Sequence, residues 1–296
     1  MKARVTGDFG RDFLVELEDR TQLTCVRKGR KQDVACGDIV DVILTSPGNG
    51  RIERVETRRN VLFRADAWRE KTLAANIDQV IIIIAPRPTF SEPFLNLCLV
   101  ACEAAQIAPK IVLNKNDLPE FEAARSHIAH LENIGYPILS LSAKHNIEPL
   151  RPHLEGKITL LVGQSGMGKS KTVNNLVMRD VAREGEFSEA LDSGKHTTTY
   201  TRLYWLEKNT AIIDTPGLQS FGLFHLSDND IAECMPEFRP YIGHCRFYNC
   251  LHLGEPGCAI VSAAEQRKID PTRLVFYQVL IEQQRSLRQA NPDWKR

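Results

Sequence analysis

Two short motifs stand in an order that few folds can accommodate. Asn114-Lys115-Asn116-Asp117 has the pattern of a guanine-reading element. Gly163-Gln164-Ser165-Gly166-Met167-Gly168-Lys169-Ser170 has the pattern of a phosphate-binding loop. In an ordinary G domain the base-reading element comes after the phosphate loop, and here it comes before it. Both can face one nucleotide only if the spatial order of the strands is kept while the chain enters the sheet at a different point. The order therefore predicts a circularly permuted α/β nucleotide-binding domain.

The flanking residues agree. Continuous apolar runs at 80–85, 111–113, 138–141, 158–162 and 211–213 alternate with helical patterns, as a parallel sheet buried on both faces requires. Every run except the first ends directly in a candidate motif. Open α/β sheets bind ligands at the carboxyl ends of their strands, so this placement supports each motif.

The chemistry of each motif can be stated. The glycines of 163–168 let backbone N–H groups face phosphate, and the helix beginning near Lys169 adds a favourable partial charge. Lys169 is expected on the β- and γ-phosphates, Ser170 on Mg²⁺, and Lys171 at the edge of the same loop. Asp214, which opens Asp214-Thr215-Pro216-Gly217, is a second Mg²⁺ candidate, and the Gly217 amide can sense the γ-phosphate. A carboxylate at Asp117 can accept hydrogen bonds from guanine N1–H and the 2-amino group, with Asn114, Lys115 and Asn116 orienting the base. Ser142-Ala143 would supply a backbone contact to O6. GTP and GDP with Mg²⁺ are thus the expected ligands. Among Thr197, Thr198 and Thr199, Thr198 is favoured as the switch threonine on Mg²⁺. The residue after Gly217 is Leu218 rather than a water-orienting Gln, which turns attention to His196 as the catalytic group beside Lys169. The competing reading is a GTP-gated RNA-binding switch with little turnover of its own.

The division expected is 1–66, 67–222 and 223–296. The first segment carries short, partly alternating strands separated by Gly and Pro turns, which suggests a small barrel of the OB type. Its basic residues cluster at Arg27 to Lys31 and at Arg51, Arg54, Arg58 and Arg59. The third segment contains Cys245-x₄-Cys250-x-His252-x₅-Cys258, three thiolates and an imidazole suited to one closed, structural Zn²⁺ site, with His244 as a rival imidazole. Arg267, Lys268, Arg273, Arg285 and Arg288 near the C-terminus are candidate RNA contacts.

Net charge is +1, so nucleic-acid contact must rest on local patches and not on bulk charge. The start of the chain does not read as a secretion signal, and no apolar run is long enough to cross a bilayer. A cytoplasmic protein without membrane contact is expected, in which the 8 cysteines are reduced core residues or metal ligands.

With these motifs in place the chain resembles the ribosome small-subunit-dependent GTPase A family over nearly its whole length. The likeness rests on Asn-Lys-x-Asp, Ser-Ala, Gly-Gln-Ser-Gly-x-Gly-Lys-Ser, His-Thr-Thr-Thr, Asp-Thr-Pro-Gly-Leu and Cys-x₄-Cys-x-His-x₅-Cys, in that order. The resemblance implies a multidomain protein: an OB-fold barrel, a permuted G domain and a zinc-binding domain with helices. It implies GTP hydrolysis stimulated by the small ribosomal subunit, and late maturation of that subunit through contact with its rRNA, with other assembly factors as possible partners. Nothing in the sequence demands more than a monomer.

Overall fold

The structure is a computed structural model that describes residues 1–29, 33–66, 69–184, 200–215 and 221–290. Strands β1 (Lys2–Asp8), β2 (Asp12–Leu17), β3 (Gln22–Arg27), β4 (Ile39–Ser46) and β5 (Asn49–Val55) pair in the order β1-β2-β3-β5-β4, and β4 returns to β1 to close a barrel. Alternation turns Val5, Phe13, Val15, Leu23, Cys25, Val40, Val42 and Ile52 inward as a core of their own. This is the expected barrel.

β6 (Val61–Asp66) and β7 (Arg69–Ala75) form a separate antiparallel hairpin, in register from Val61↔Ala75 to Asp66↔Arg69. The divide expected after residue 66 falls between these two paired strands.

The second part of the main sheet is the G-domain core. β8 (Gln79–Ile84), β9 (Ala108–Leu113), β10 (Ile138–Ser140), β11 (Ile158–Val162), β12 (Thr201–Glu207) and β13 (Thr210–Asp214) lie in the order β10-β9-β8-β11-β13-β12. All neighbours are parallel except β12, which runs antiparallel to β13. β11 is central, and its two partners, β8 and β13, reach it from opposite sides of the sequence by long connections, the pattern expected of permutation. α1 (Glu92–Ala104), α2 (Phe121–His127), α3 (His130–Asn133) and α4 (Lys169–Glu184) accompany this sheet.

β12 was not among the expected strands, and it joins the two halves. Its outer edge pairs with β1 at Arg202↔Gly7 and Thr201↔Asp8, so barrel and G-domain sheet are continuous. Phe9 meets Tyr200 edge-on at 5.2 Å, and the Arg20 guanidinium lies 4.2 Å over Trp205.

α5 (Asp228–Glu233), α6 (Ala259–Glu265) and α7 (Pro271–Ala290) complete the chain. Ser227 and Asp230 form a reciprocal capping box on α5. Leu274, Tyr277, Leu280 and Ile281 give α7 its buried face at helical spacing. The fully buried Arg273 pairs with Glu237 at 2.5 Å and donates to Asn96 of α1 at 2.9 Å, fastening α7 to the G domain. Removing one partner of such a pair costs about 3–5 kcal/mol. No described helix is long and apolar enough to cross a membrane.

Candidate nucleotide and metal sites

The phosphate loop connects β11 to α4. Gly166 and Gly168 hold φ of +82° and +96°, conformations that side-chain-bearing residues rarely adopt. A Cβ on Gly168 would stand 2.2 Å from Asn114 Nδ2, so that position is closed to any other residue.

Asn114 is the joint of the site. Its Nδ2 donates to the Met167 carbonyl at 2.9 Å, and its Oδ1 accepts from the Ala143 amide at 2.8 Å. One buried side chain thus ties the phosphate loop to the Ser142-Ala143 turn. Its contacts are with the protein, not with the space where a base would lie. Lys115 Nζ likewise donates to the Gly166 carbonyl at 2.7 Å and to that of Arg87. Asn175 donates to the Ala143 carbonyl at 2.5 Å. Asp117 and Asn116 remain exposed beside this frame, and the Ser142 hydroxyl holds the Asp117 carboxyl below its usual range. An ionised carboxylate with open lone pairs can accept two N–H donors from one base edge.

The loop after β8 also belongs here. Pro88 packs beneath Gly166, the Arg87 carbonyl accepts from Lys115, and the Ser91 amide donates to Gln164 Oε1 at 3.0 Å. Sequence reasoning passed over this loop because backbone groups and prolines carry no chemical signature. The strand-end rule would have found it.

Lys169 is buried and held by the Asp214 carboxylate and by the Thr215 carbonyl at 2.5 Å. Both groups are pre-placed at the strand ends where phosphate and Mg²⁺ would sit, with each occupying the other. Ser165, Ser170 and Lys171 are exposed at the loop and the first turn of α4, and Gly163 is buried against β8. His196, Thr197, Thr198, Thr199, Gly217 and Leu218 lie outside the described residues.

The four expected metal ligands come together. One ligand atom from each of Cys245, Cys250, His252 and Cys258 lies within 4.8 Å of all the others. Cys245 Sγ to Cys258 Sγ is 3.9 Å, and His252 Nδ1 stands 3.5 and 3.4 Å from those two sulfurs. A tetrahedral ion with metal–sulfur bonds of about 2.3 Å and a metal–nitrogen bond of about 2.0 Å needs S···S near ~3.8 Å and S···N near ~3.5 Å. The cluster therefore fits one tetrahedral metal ion. The Ala259 and Val261 amides donate to Cys245 and Cys258 sulfur, which favours the thiolate form. Burial pushes the Cys250 thiol up to about 12, raises that of Cys258 and lowers the His252 imidazole. An incoming ion must displace thiol protons but meets a neutral imidazole. The rival His244 is exposed and outside the cluster, and Cys98 and Cys102 are buried core residues.

Of the candidate RNA-contacting cations one needs correction, and several others carry a carboxylate partner. Arg273 is fully buried, and Arg285 and Arg288 both bond to Asp228. On the barrel, Arg58 is held by Asp33 and Asp38, Lys28 and Arg51 by Glu53, Arg54 by Asp41 and Arg59 by Asp78. Sequence position shows a cation but not the carboxylate that folding brings beside it. Arg267 and Lys268 stay exposed.

Comparison with known proteins matches this architecture. The sequence model of the RsgA GTPase family covers residues 55–224. A small ribosomal subunit biogenesis GTPase RsgA from Nitrosospira multiformis is 46% identical over 282 residues, spanning 95% of this chain and 90% of that protein. Of solved structures, YjeQ from Thermotoga maritima superposes with a TM-score of 0.72 at 27% identity, over 96% of this chain and 98% of that one. YloQ, a circularly permuted GTPase, gives 0.70 at 22% identity over 96% and 95%, a likeness of fold. With its base-reading turn tied by Asn114 to a phosphate loop that follows it in the chain, this protein belongs to the RsgA GTPase family of circularly permuted GTP hydrolases.

Proposed function

We propose that the protein hydrolyses GTP on the small ribosomal subunit and takes part in that subunit's maturation. The observation that carries the nucleotide part is the Asn114 bridge, which sets the base-reading turn and the phosphate loop in one frame. The ribosomal part is supported by the 46% identity to a small-subunit biogenesis GTPase. In this reading the loop 163–170, with Lys171 and the Gly217 amide, holds the phosphates, while Asn116, Asp117, Ser142 and Ala143 define the guanine pocket. Asn114 and Lys115 support it from behind. Mg²⁺ takes Ser170, Thr198 and Asp214, and His196 orients water.

The Lys169–Asp214 pair gives the cycle a first step. A phosphate group would compete with Asp214 for Lys169, and the Asp214 carboxylate, with Ser170, would then be the group to hold Mg²⁺. The chain after Asp214 runs on toward the metal-binding region, and switch movement on loss of the γ-phosphate would reach it by that route. Zinc is the ion proposed for the Cys₃His cluster, since three thiolates and one imidazole in tetrahedral spacing suit it best. The division proposed is barrel, permuted G domain and metal-binding helical region, with the 61–75 hairpin shared across the first boundary. The setting proposed is a cytoplasmic monomer bound to rRNA.

The test is GTP hydrolysis by the purified protein, alone, with small subunits and with large subunits, with Lys169→Ala as control. Stimulation by small subunits only, absent in the variant, is expected. A rate indifferent to small subunits would remove the ribosomal assignment and leave the nucleotide site standing.

A further inference from the structure

The nucleotide frame occupies the carboxyl ends of the parallel strands. At the opposite end of the same sheet, four residues from separate segments meet. Gln79 opens β8, Lys110 lies in β9, His153 ends the 3-10 turn Glu148–His153, and Lys157 precedes β11. Lys110 Nζ stands 2.7 Å from His153 Nδ1, and Lys157 Nζ donates to Gln79 Oε1 at 3.3 Å. Gln79 is itself buried, and its Nε2 donates to the His153 carbonyl at 2.6 Å and to Thr159 Oγ1 at 2.9 Å. The arrangement is thus fixed from beneath by a side chain with no rotational choice left.

What sets this cluster apart is its charge balance. Arg54 and Arg58 of the barrel and Arg273 and Arg288 of α7 stand beside carboxylates. Lys110 and Lys157 are half-buried, and among the described residues neither forms an ion pair with a carboxylate. Burial and Lys157 lower the Lys110 ammonium's pKa, and burial with the two ammonium groups lowers that of His153. Half-buried cations placed close together without a carboxylate are relieved by an anion.

We infer that Lys110 and Lys157, beside His153, form a binding site for a phosphate-type oxyanion. The donors are in place. Lys110 spends one of its N–H groups on His153 Nδ1, and an imidazole that accepts at Nδ1 carries its proton on Nε2. The Lys110 and Lys157 ammonium groups therefore keep N–H donors for an oxyanion, and the His153 ring, engaged at Nδ1 by Lys110, stands beside them. The site is not an extension of the phosphate loop: the five residues of β11 separate them, roughly 15 Å at about 3.3 Å per residue. The oxyanion can be free inorganic phosphate or a phosphodiester of an RNA strand.

The experiment uses the full chain with saturating GDP and Mg²⁺, so that the phosphate loop is filled. The reporter is the His153 imidazole resonance in histidine-labelled protein. Inorganic phosphate is titrated against sodium chloride of equal ionic strength, and a short single-stranded RNA is titrated in a second arm. A saturable shift with phosphate and none with chloride is expected, lost in Lys110→Gln/Lys157→Gln while GDP affinity stays unchanged. If the RNA gives the same shift at lower concentration, and the salt slope of its binding falls by about 1–2 in the double variant, the ligand is backbone phosphate. A shift with phosphate alone assigns the free ion. Should the double variant lose GDP affinity, Lys157→Gln alone, which keeps the Lys110–His153 contact, replaces it and is expected to weaken the shift. No saturable shift with either probe, an equal shift with chloride, or a shift retained in the variants would overturn the proposal.

Discussion

The nucleotide frame and the metal knuckle are built on opposite principles. The frame is assembled from segments far apart in sequence: Asn114 reaches Met167 and Ala143, and Lys169 reaches Asp214. Beneath it, β8, β9, β11 and β13 form a core of buried Ile, Leu and Val. The knuckle is local, four ligands within residues 245–258, and it has almost no apolar interior. Between 243 and 258 the only buried residues are Cys250, His252 and Cys258, while Tyr248 is fully exposed. A bound ion would serve as its core. The first region keeps its shape by tertiary packing, and the second keeps its shape by ligation.

The largest test removes the ion. Cys250→Ala, or chelation of the wild type, is expected to cut metal content from one per chain to near zero. It should forfeit a site whose kind supplies about 10 kcal/mol or more of binding free energy at neutral pH. Hydrogen exchange should quicken in the knuckle and in α7, whose Tyr277 and Gln278 bond to the Leu251 and His252 carbonyls. Nucleotide affinity should hold, and its collapse would erase the contrast between the two regions. pH sharpens the same point. The metal-free thiols of Cys250 and Cys258 titrate high, so each proton displaced from them should weaken metal binding about tenfold for every unit that pH falls below neutrality. His252, with its lowered pKa, adds a further proton only in more acidic solution.

Next in size is Asp117→Asn. If Asp117 accepts from guanine as proposed, the change removes two charge-assisted hydrogen bonds and should weaken GDP binding by about 100-fold or more, with the metal retained. A xanthine nucleotide, whose 2-oxo group accepts where guanine donates, should recover much of the loss in a calorimetric titration.

Asn114→Ala should cost about 1–3 kcal/mol, because the buried Ala143 amide loses its acceptor. The measurement is denaturant unfolding with GDP affinity alongside, and both should fall together. A stable variant that binds GDP normally would show that the frame does not depend on this bridge. Gln164→Ala, which frees the half-buried Ser91 amide, is the smallest change at about 1 kcal/mol.

Much of this was legible in the chain for reasons that follow the same division. The metal ligands could be read outright, since residue type and short spacing are the whole of that site. The phosphate loop and Asp214 were legible through the strands that end in them. The role of Asn114 was not, because nothing in residues 114–117 shows that the side chain turns away from the base to join two loops. β12 escaped notice since Thr201-Arg202-Leu203-Tyr204-Trp205-Leu206-Glu207 lacks the unbroken apolar run of its neighbours. Its two edges are satisfied by β13 and by a strand some two hundred residues earlier. The burial of Arg273 had no local signal at all: its partners Glu237 and Asn96 arrive only with the packing of α7 on α1.

The pairing of β1 with β12 bears on how the molecule is made. A ribosome synthesising this chain releases β1 first, and its outer edge finds its partner only when residues 201–202 have emerged. β8 waits in the same way for β11, the central strand, which comes more than seventy residues later. The five barrel strands can close early, whereas the G-domain sheet stays open along its middle until most of the protein exists. Such late, long-range closures are the slow steps of folding and leave strand edges open to misassembly. A protein arranged in this way folds from its two ends toward a seam that is sealed last, and the nucleotide frame lies along that seam.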